Sequence, residues 1–107
     1  MNNPSVSVVI PVYNEDESIS VLYTEVKNAL ESFQSHEIIF VNDGSFDNSL
    51  DEITTLVEQD SSVTLIDLYN NFGKADALNE GFKVAVGDII ITMDADLQDD
   101  PSEIKNF

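Results

Sequence analysis

Short apolar runs alternate with amphipathic segments along the whole chain. Each run is rich in Val and Ile and carries few polar positions, which is typical of strands that are buried on both faces of a parallel sheet. Four such runs predict strands, at Val6–Ile10 (which Pro11 ends), Glu37–Val41, Val63–Leu68 and Asp88–Met93.

Between these runs, apolar residues recur every three or four positions, so each intervening segment predicts a helix with one buried face. The faces comprise Ile19, Leu22, Tyr23, Val26, Leu30 and Phe33 in the first helix, Leu50, Ile53 and Val57 in the second, and Ala75, Leu78, Phe82 and Ala85 in the third. Asn14 and Glu17 match a capping box for the first helix, and Gly87 is expected to end the third. Residues 100–103 predict the start of a fourth helix, with Asp100 as its N-cap.

Regular alternation of strands and helices favours right-handed parallel βαβ units in one domain that spans residues 1–107. The predicted fold is therefore α/β, with a mostly parallel sheet in the order 3-2-1-4 and flanking helices. The first strand would then be central, and its carboxyl end would lie beside those of strands two and four. Ligands bind outside the carboxyl ends of such strands, so polar residues that follow these strands are expected to form one site.

The net charge of the chain limits the kinds of molecule that it is expected to bind. The formal net charge is -17, from 21 acidic residues against four lysines and no arginine. Nucleic acids and anionic membranes need basic residues and are therefore disfavoured. A phosphate-bearing ligand would need help from a bound cation, although acidity is also a plain solubility trait.

The lack of cysteine excludes disulfides, thiolate nucleophiles and cysteine-ligated metals. Neither a signal-peptide pattern nor an apolar run near the ~20 residues of a membrane span occurs, so the chain is expected to be soluble and cytoplasmic. The single histidine, His36, falls in a predicted loop before the second strand and is expected to be structural or solvated.

Oxygen ligands cluster directly after the fourth strand, where Asp94, Asp96 and Gln98 follow one another at alternate positions. Hard divalent cations prefer such ligands, and Mg²⁺ is commonly held by one or two carboxylates plus substrate phosphates. The pattern indicates a metal-dependent nucleotide site. On its own it is equally compatible with ordinary solvated loop residues.

Four segments in this order and spacing, VSVVIPVYNEDESI, EIIFVNDGSFDNS, NFGKADALNEGF and GDIIITMDADLQDDP, resemble family 2 glycosyltransferases of the GT-A fold. Among them the chain is most similar to polyprenyl-phosphate sugar transferases such as dolichyl-phosphate mannose synthase. The resemblance covers nearly the whole chain but only the Rossmann-like, nucleotide-binding front part of such an enzyme, which would be truncated after the D-x-D region. It implies metal-dependent, inverting transfer of a sugar from a nucleotide-diphosphate sugar to a lipid phosphate or a saccharide.

The resemblance also implies residue roles at the metal. Asp94 and Asp96 would ligate Mg²⁺ or Mn²⁺ at the diphosphate of the nucleotide, with Gln98 completing the shell. Gly73 and Lys74 match the family's G-K at a helix start, where a phosphate or base contact is expected because helix N-termini attract anions. A solvated Lys74 is the equal alternative. An arginine that often precedes N-F-G in relatives is absent.

In the nucleoside pocket, Asp43 aligns with the aspartate that binds the nucleobase, and Asn42 stands where many relatives have a second aspartate. Asp43 could instead shape a turn, because Asx residues favour turns. Pro11, Tyr13 and Glu15 match the loop that lines the pocket; core packing for Tyr13 and simple solvation for Glu15 are the alternatives.

Other classes fit less well. A phosphoacceptor receiver domain would need an aspartate that ends the third strand, whereas Asp67 lies within it, and a dinucleotide-binding domain would need a G-x-G-x-x-G after the first. The remaining alternative is a fragment that binds metal and nucleotide without turnover, because no catalytic base or acceptor site is recognisable. Membrane contact would come only through a missing C-terminal part. The bare edge of the fourth strand predicts self-association into a homo-oligomer.

Overall fold

The structure, a computed structural model, describes residues 4–96 together with Pro101 and Ile104. Strands and helices alternate throughout. They are β1 (Val6–Val12), α1 (Ile19–Leu30), β2 (His36–Asp43), α2 (Ser49–Gln59), β3 (Val63–Leu68), α3 (Lys74–Val84) and β4 (Ile89–Thr92). None of the described helices is long and apolar enough to cross a membrane.

The four strands form one parallel sheet in the order β3-β2-β1-β4, which confirms the predicted topology. β1 lies between β2 and β4, with Val8 opposite Ile38 on one side and Ile91 on the other. All strands therefore end at the same side of the sheet, called here the carboxyl edge; the opposite side is the amino edge.

Helices cover both faces of this sheet. On one face α1 and α2 bury the larger core, which includes the fully buried Phe40 and Ile10. On the other face α3 packs over Val9, Ile39 and Val41 through Ala77. Successive residues of β1 and β2 thus enter different cores, which is why both strands read as continuous apolar runs.

Two strands are longer than predicted at the carboxyl edge. β1 continues through Pro11 to Val12. Since β4 ends opposite Val9, Pro11 has a described neighbour only in β2. Proline, which lacks an N–H, is tolerated at such a position because only one side of the strand is paired. β2 likewise runs on to Asp43, so Asn42 and Asp43 are strand residues rather than parts of a turn.

Two helix predictions need correction. The capping box is wrong: α1 begins at Ile19 with Ser18 as its N-cap, and the Asn14 side chain instead accepts a hydrogen bond from the Phe46 N–H. In α3 the predicted face is right for Leu78 and Ala85, but Ala75 and Phe82 are exposed and the fully buried positions are Ala77 and Gly81. α3 approaches β1 so closely that a Cβ on Gly81 would lie 2.3 Å from Val9 Cγ1.

The remaining predictions concern the ends of the described chain. Of the segment predicted to begin a fourth helix, only Pro101 and Ile104 are described, and both are buried. β4 has a described neighbour on one side only. Self-association through this strand stays a prediction.

Candidate functional site at the carboxyl edge

A cleft of about 270 Å³ opens at the carboxyl edge, on the α3 side of the sheet. Its lining comes from the end of β1, the end of β2 and the start of α3, in the residues Pro11, Val12, Tyr13, Asp43, Asn71, Gly73 and Lys74. Four residues assigned to nucleotide binding from the sequence, Pro11, Tyr13, Asp43 and Lys74, thus line one cavity. They come together because parallel strands all end on the same side.

Asp43 is the most strongly held residue of the cleft, with only 3% of its surface exposed. Its Oδ1 accepts the Phe72 N–H at 2.8 Å, and its Oδ2 accepts the Gly73 N–H at 3.0 Å and the Asn71 side-chain amide at 3.2 Å. The same Asn71 amide donates to the Asp43 carbonyl oxygen at 3.0 Å. A carboxylate offers about four acceptor sites. The loop before α3 therefore takes three of these four sites.

Gly44 lets this loop lie against β2. Its φ is +73°, and a Cβ there would stand 2.4 Å from the Asn71 nitrogen and 2.5 Å from the Asn70 carbonyl carbon. Any other residue would be both strained and obstructed. The backbone contact at Gly44 and the carboxylate of Asp43 together fix the segment that leads into Lys74.

Asn42 stands where many members of the resembled family have an aspartate, and the fold explains why an asparagine suits this position. It is 2% exposed, and its amide nitrogen donates to Asp67 Oδ1 at 3.0 Å on the adjacent strand. An aspartate at this position would set two carboxylates side by side, whereas asparagine supplies a donor. The side chain of Asn42 is directed away from Asp43, because successive residues of a strand point to opposite faces.

Lys74 connects the cleft to the loop after β4. It is the first residue of α3, and its ammonium forms an ion pair with Asp94. Both side chains remain partly in solvent, Lys74 at 60% and Asp94 at 38% exposure. The predicted phosphate-binding lysine and the first predicted metal ligand are thus direct neighbours.

Glu15 belongs to a different part of the same edge, since it is not among the residues that line the cleft. Partial burial, followed by the neighbouring charges of Asp96 and Asp47, raises the pKa of the Glu15 carboxyl above its ordinary value. Three acidic side chains therefore crowd together here. Their mutual repulsion disfavours the ionised form of Glu15.

Two loops of the carboxyl edge are joined by side chain–backbone hydrogen bonds that the sequence did not predict. One loop follows β1, the other follows β2, and each supplies both donors and acceptors. The bonds are Asn14 N–H to Ser45 Oγ (2.9 Å), Phe46 N–H to Asn14 Oδ1 (3.0 Å), Glu15 N–H to Ser49 Oγ (3.0 Å), Asp16 N–H to Asp47 Oδ2 (3.2 Å) and Asn48 N–H to Asp16 Oδ2 (3.2 Å). Because Glu15 belongs to this pairing and Tyr13 directly precedes it, these bonds fix the positions of both residues.

Asp47 is central to this pairing because it accepts bonds from both loops. Burial works against its ionisation, but the hydrogen bonds from Ser49 and Asp16 outweigh burial and lower its pKa.

Two pairs of aromatic rings also lie at the carboxyl edge. Tyr13 packs edge to face on Phe46 with ring centroids 6.2 Å apart, and Tyr69 packs similarly on Phe72 at 5.1 Å.

The residues present fit a Mg²⁺ or Mn²⁺ ion that is shared with a ligand. Within residues 4–96, 101 and 104, no group of three or more acidic or imidazole side chains is arranged to hold a metal. Asp94 and Asp96 leave the strand on one short loop, and two carboxylates suffice when phosphate oxygens and water complete the shell. Gln98, the third predicted ligand, lies outside the described residues.

Sequence reasoning missed several residues that hold the site together. Ser45, Asp47 and Ser49 accept hydrogen bonds in the loop pairing, and Asn71, which also lines the cleft, binds Asp43 from the loop before α3. Their polar, turn-forming types were a signal. Their partners lie roughly 30 residues away, so the pairing could not be predicted from local pattern.

The curated proteins that are similar to this chain include two transferases of the same name. An undecaprenyl-phosphate 4-deoxy-4-formamido-L-arabinose transferase from Serratia proteamaculans is 48% identical over 104 residues, which are 95% of this chain and 32% of that protein. A transferase of the same name from Yersinia pestis is 45% identical and covers 100% of this chain and 34% of its own. The chain thus spans about a third of the length of these relatives.

Solved structures show the same fold. The mannosyltransferase PcManGT from Pyrobaculum calidifontis, in complex with GDP-Man and Mn²⁺, matches 90% of this chain and 28% of its own with a TM-score of 0.81 and 27% identity. S. aureus TarS 1-349 in complex with UDP-GlcNAc matches 86% of this chain and 26% of its own, with a TM-score of 0.75 and 25% identity.

The family model described as glycosyl transferase family 2 matches residues 7–107. Apart from Val6, this range includes all four strands and all four segments noted in the sequence. The order of strands, the cleft at their carboxyl ends and the relatives all agree with this match. The chain belongs to glycosyl transferase family 2.

Proposed function

We propose that this chain is the nucleotide-sugar-binding part of a glycosyltransferase that passes a sugar from a nucleoside-diphosphate sugar to a polyprenyl phosphate. The observation that carries the proposal is the cleft that Pro11, Tyr13, Asp43 and Lys74 line together, with Asp94 at its border through the Lys74 ion pair. The names of the two transferases support the lipid-phosphate acceptor. The nucleotide sugars bound to the two solved neighbours support the donor class.

Each side chain of the cleft suits a part of the donor. Tyr13 and Pro11 offer apolar walls for the nucleoside. The one acceptor site that Asp43 keeps would take an N–H of the base, and the same residue orients the loop into Lys74. Lys74 would contact the diphosphate as a point charge. Glu15 would stay at the border of the nucleoside pocket, beside the metal-binding loop.

Asp94, Asp96 and Gln98 would hold Mg²⁺ or Mn²⁺, and the bound ion of the Pyrobaculum neighbour supports this choice. When bound, such an ion stabilises negative charge that develops on a leaving diphosphate. With a net charge of -17, the chain has little other means to attract a diphosphate, since its described carboxyl edge offers Lys74 as a cation.

In the intact enzyme the acceptor oxygen would form a bond to the anomeric carbon while the bond from that carbon to the diphosphate oxygen breaks. A single displacement of this kind inverts the anomeric configuration. The attacking oxygen of a polyprenyl phosphate is ionised at neutral pH, so this step would need no base to remove a proton from the acceptor. The enzyme would work in the cytoplasm or at the cytoplasmic face of its membrane.

A second reading is a unit that binds metal and nucleotide without turnover. The share of the relatives' length that the chain covers, 32% and 34%, favours it for these 107 residues. Binding and turnover are separable, so the first test should measure binding.

The test is calorimetric titration of the chain with UDP and with GDP, each with and without Mn²⁺. We expect one nucleotide to bind only with Mn²⁺, and Asp96→Asn to remove that binding while the circular dichroism spectrum stays unchanged. Glu58→Gln, an equal change of charge on the exposed surface of α2, is the control and should bind as wild type does. Equal binding by Asp96→Asn and wild type would contradict the metal-dependent site.

A further inference from the structure

Lys74 differs from the other two described lysines in its position at the carboxyl edge. Lys27 pairs with Asp60 at the amino edge, and Lys83 pairs with Glu80 near the end of α3. Lys74 lines the cleft and reaches Asp94. The one described lysine of the carboxyl edge therefore neutralises a carboxylate that is also a candidate metal ligand.

The backbone that carries Lys74 is fixed independently of this ion pair. The preceding residue, Gly73, is the N-cap of α3, and its N–H is bonded to Asp43 at 3.0 Å. Phe72 is held to the same carboxylate at 2.8 Å. The ammonium consequently stays within reach of Asp94 whether or not the two are paired, and only the side chain needs to move.

The side chain is able to move. Lys74 is 60% exposed, and lysine carries its charge on a flexible four-carbon stem. A partly exposed ion pair of this type contributes only weakly to stability, so it is easily exchanged. A divalent cation brings twice the charge of an ammonium to the same carboxylate, and a diphosphate beside it offers the ammonium a new partner.

We propose that Lys74 is the counter-cation of Asp94 before ligands bind and that it exchanges this carboxylate for the diphosphate when metal and nucleotide bind. This inference rests on the proposed function and assigns one lysine two successive partners. Before binding, Lys74 neutralises Asp94, one of the two carboxylates on the loop after β4. After binding, it joins the metal in neutralising the diphosphate.

Two opposite effects follow from removing the Lys74 charge. A metal ion no longer competes with an ammonium for Asp94, so binding of Mn²⁺ alone should become tighter. The nucleoside diphosphate loses a cationic partner, so its binding at saturating Mn²⁺ should become weaker. A residue with a merely structural role would move both affinities in the same direction.

The experiment compares Lys74→Met with wild type, with Lys83→Met as a matched control on the same helix. Free Mn²⁺ is measured by electron paramagnetic resonance during titration of each chain with Mn²⁺ alone. For Lys74→Met we expect Mn²⁺ affinity to rise by about threefold to fivefold, the amount that a weak ion pair represents. Titration with UDP and GDP at saturating Mn²⁺ should then show affinity that falls by about tenfold, as for a lost hydrogen bond to a charged group.

The outcomes separate this inference from the proposed function. Unchanged or weaker Mn²⁺ binding by Lys74→Met, or no Mn²⁺ binding by either chain, would overturn the exchange even if wild type binds nucleotide. Tighter Mn²⁺ binding in a chain whose wild type binds neither UDP nor GDP would support the counter-cation role and contradict the proposed donor. Lys83→Met should match wild type in both titrations; a change there equal to that of Lys74→Met would also overturn the assignment.

Discussion

The two edges of the sheet hold cavities of similar size, about 270 Å³ at the carboxyl edge and about 240 Å³ at the amino edge. Volume therefore does not distinguish them. Their carboxylates do: Asp60, near the amino edge, has its pKa lowered, whereas Glu15, at the carboxyl edge, has its pKa raised. At the carboxyl edge the fold thus disfavours the ionised form of Glu15, although Asp47, whose carboxylate accepts several hydrogen bonds there, has its pKa lowered as Asp60 does.

At the amino edge the Asp60 carboxylate is surrounded by hydrogen-bond donors, one of which is a lysine. Although burial disfavours ionised Asp60, hydrogen bonds from Tyr23, Ser62 and Lys27 more than compensate. Lys27 lies 2.9 Å from the Asp60 carboxylate and also donates to Ser62 at 3.0 Å. Burial and the bond to Asp60 in turn raise the pKa of Tyr23 to about 12. This network joins α1 to the loop before β3 and contributes to stability.

The carboxyl edge is arranged differently. Its polar side chains fix the backbone of the loops, through Asp43, Asp47 and the serines, while Glu15 and Asp96 repel each other. Carboxylates in unfavourable surroundings are typical of binding sites. The comparison teaches that cavities of similar volume can differ in how the nearby carboxylates are paired: the network at the amino edge contributes to stability, whereas the carboxyl edge keeps the unfavourable charges that our proposed function assigns to ligand binding.

The largest expected effect comes from adding a side chain at Gly44, where the backbone of β2 contacts the loop before α3. Gly44→Ala would combine a φ of +73° with a Cβ 2.4 Å from the Asn71 nitrogen. Strain and overpacking together should lower the free energy of unfolding by about 3–5 kcal/mol. Urea denaturation followed by circular dichroism measures this loss.

Gly73→Ala is the matched control for that change. Gly73 also has a positive φ, +102°, but a Cβ there would meet nothing within 4 Å. Only the conformational cost of about 1–3 kcal/mol should therefore appear. Equal losses for the two variants would show that the contact of Gly44 with the loop before α3 is unimportant.

A smaller effect is expected from breaking the amino-edge network with Asp60→Asn. Loss of hydrogen bonds to a charged group should lower the free energy of unfolding by about 2 kcal/mol at neutral pH. Because the folded pKa of Asp60 lies below the ordinary 3.8, its stabilisation is complete above that value and is lost as pH falls through the folded pKa.

Denaturation of wild type and Asp60→Asn from pH 7 to pH 2 tests this sign. The difference in unfolding free energy should be constant down to about pH 5 and then shrink with further acidification. A difference that grows in acid would contradict the assignment of Asp60. Thr54→Ala, on the exposed surface of α2, should give a difference that does not depend on pH.

The smallest expected effect is a change in the pKa of Glu15 at the carboxyl edge. Asp96→Asn removes one of the charges that raise the Glu15 pKa, so NMR titration of the Glu15 carboxyl should show its pKa lowered towards the ordinary value. Burial and Asp47 remain, so the shift should be partial. Stability should change by less than about 0.5 kcal/mol because Asp96 is exposed. An unchanged Glu15 pKa would contradict the proximity of the two side chains.

Much of this architecture was determined by the sequence alone. Runs of Val and Ile with helical spacing between them predicted all four strands, three helices and the order of the sheet, because buried parallel strands and amphipathic helices have distinct periodicities. Pro11, Tyr13, Asp43 and Lys74 were also assigned to one site because they match positions of the family that the sequence resembles, and the structure places all four in the lining of one cleft.

Tertiary structure alone decided how those residues are held. The bonds from Asp43 to the loop before α3, the ion pair of Lys74 with Asp94 and the pairing of Asn14 with Ser45 each join segments 20 or more residues apart. So does the contact of α3 with β1, which buried Gly81 and left Phe82 exposed. Local pattern reports which face a residue prefers, whereas partners across the fold depend on how closely whole elements approach.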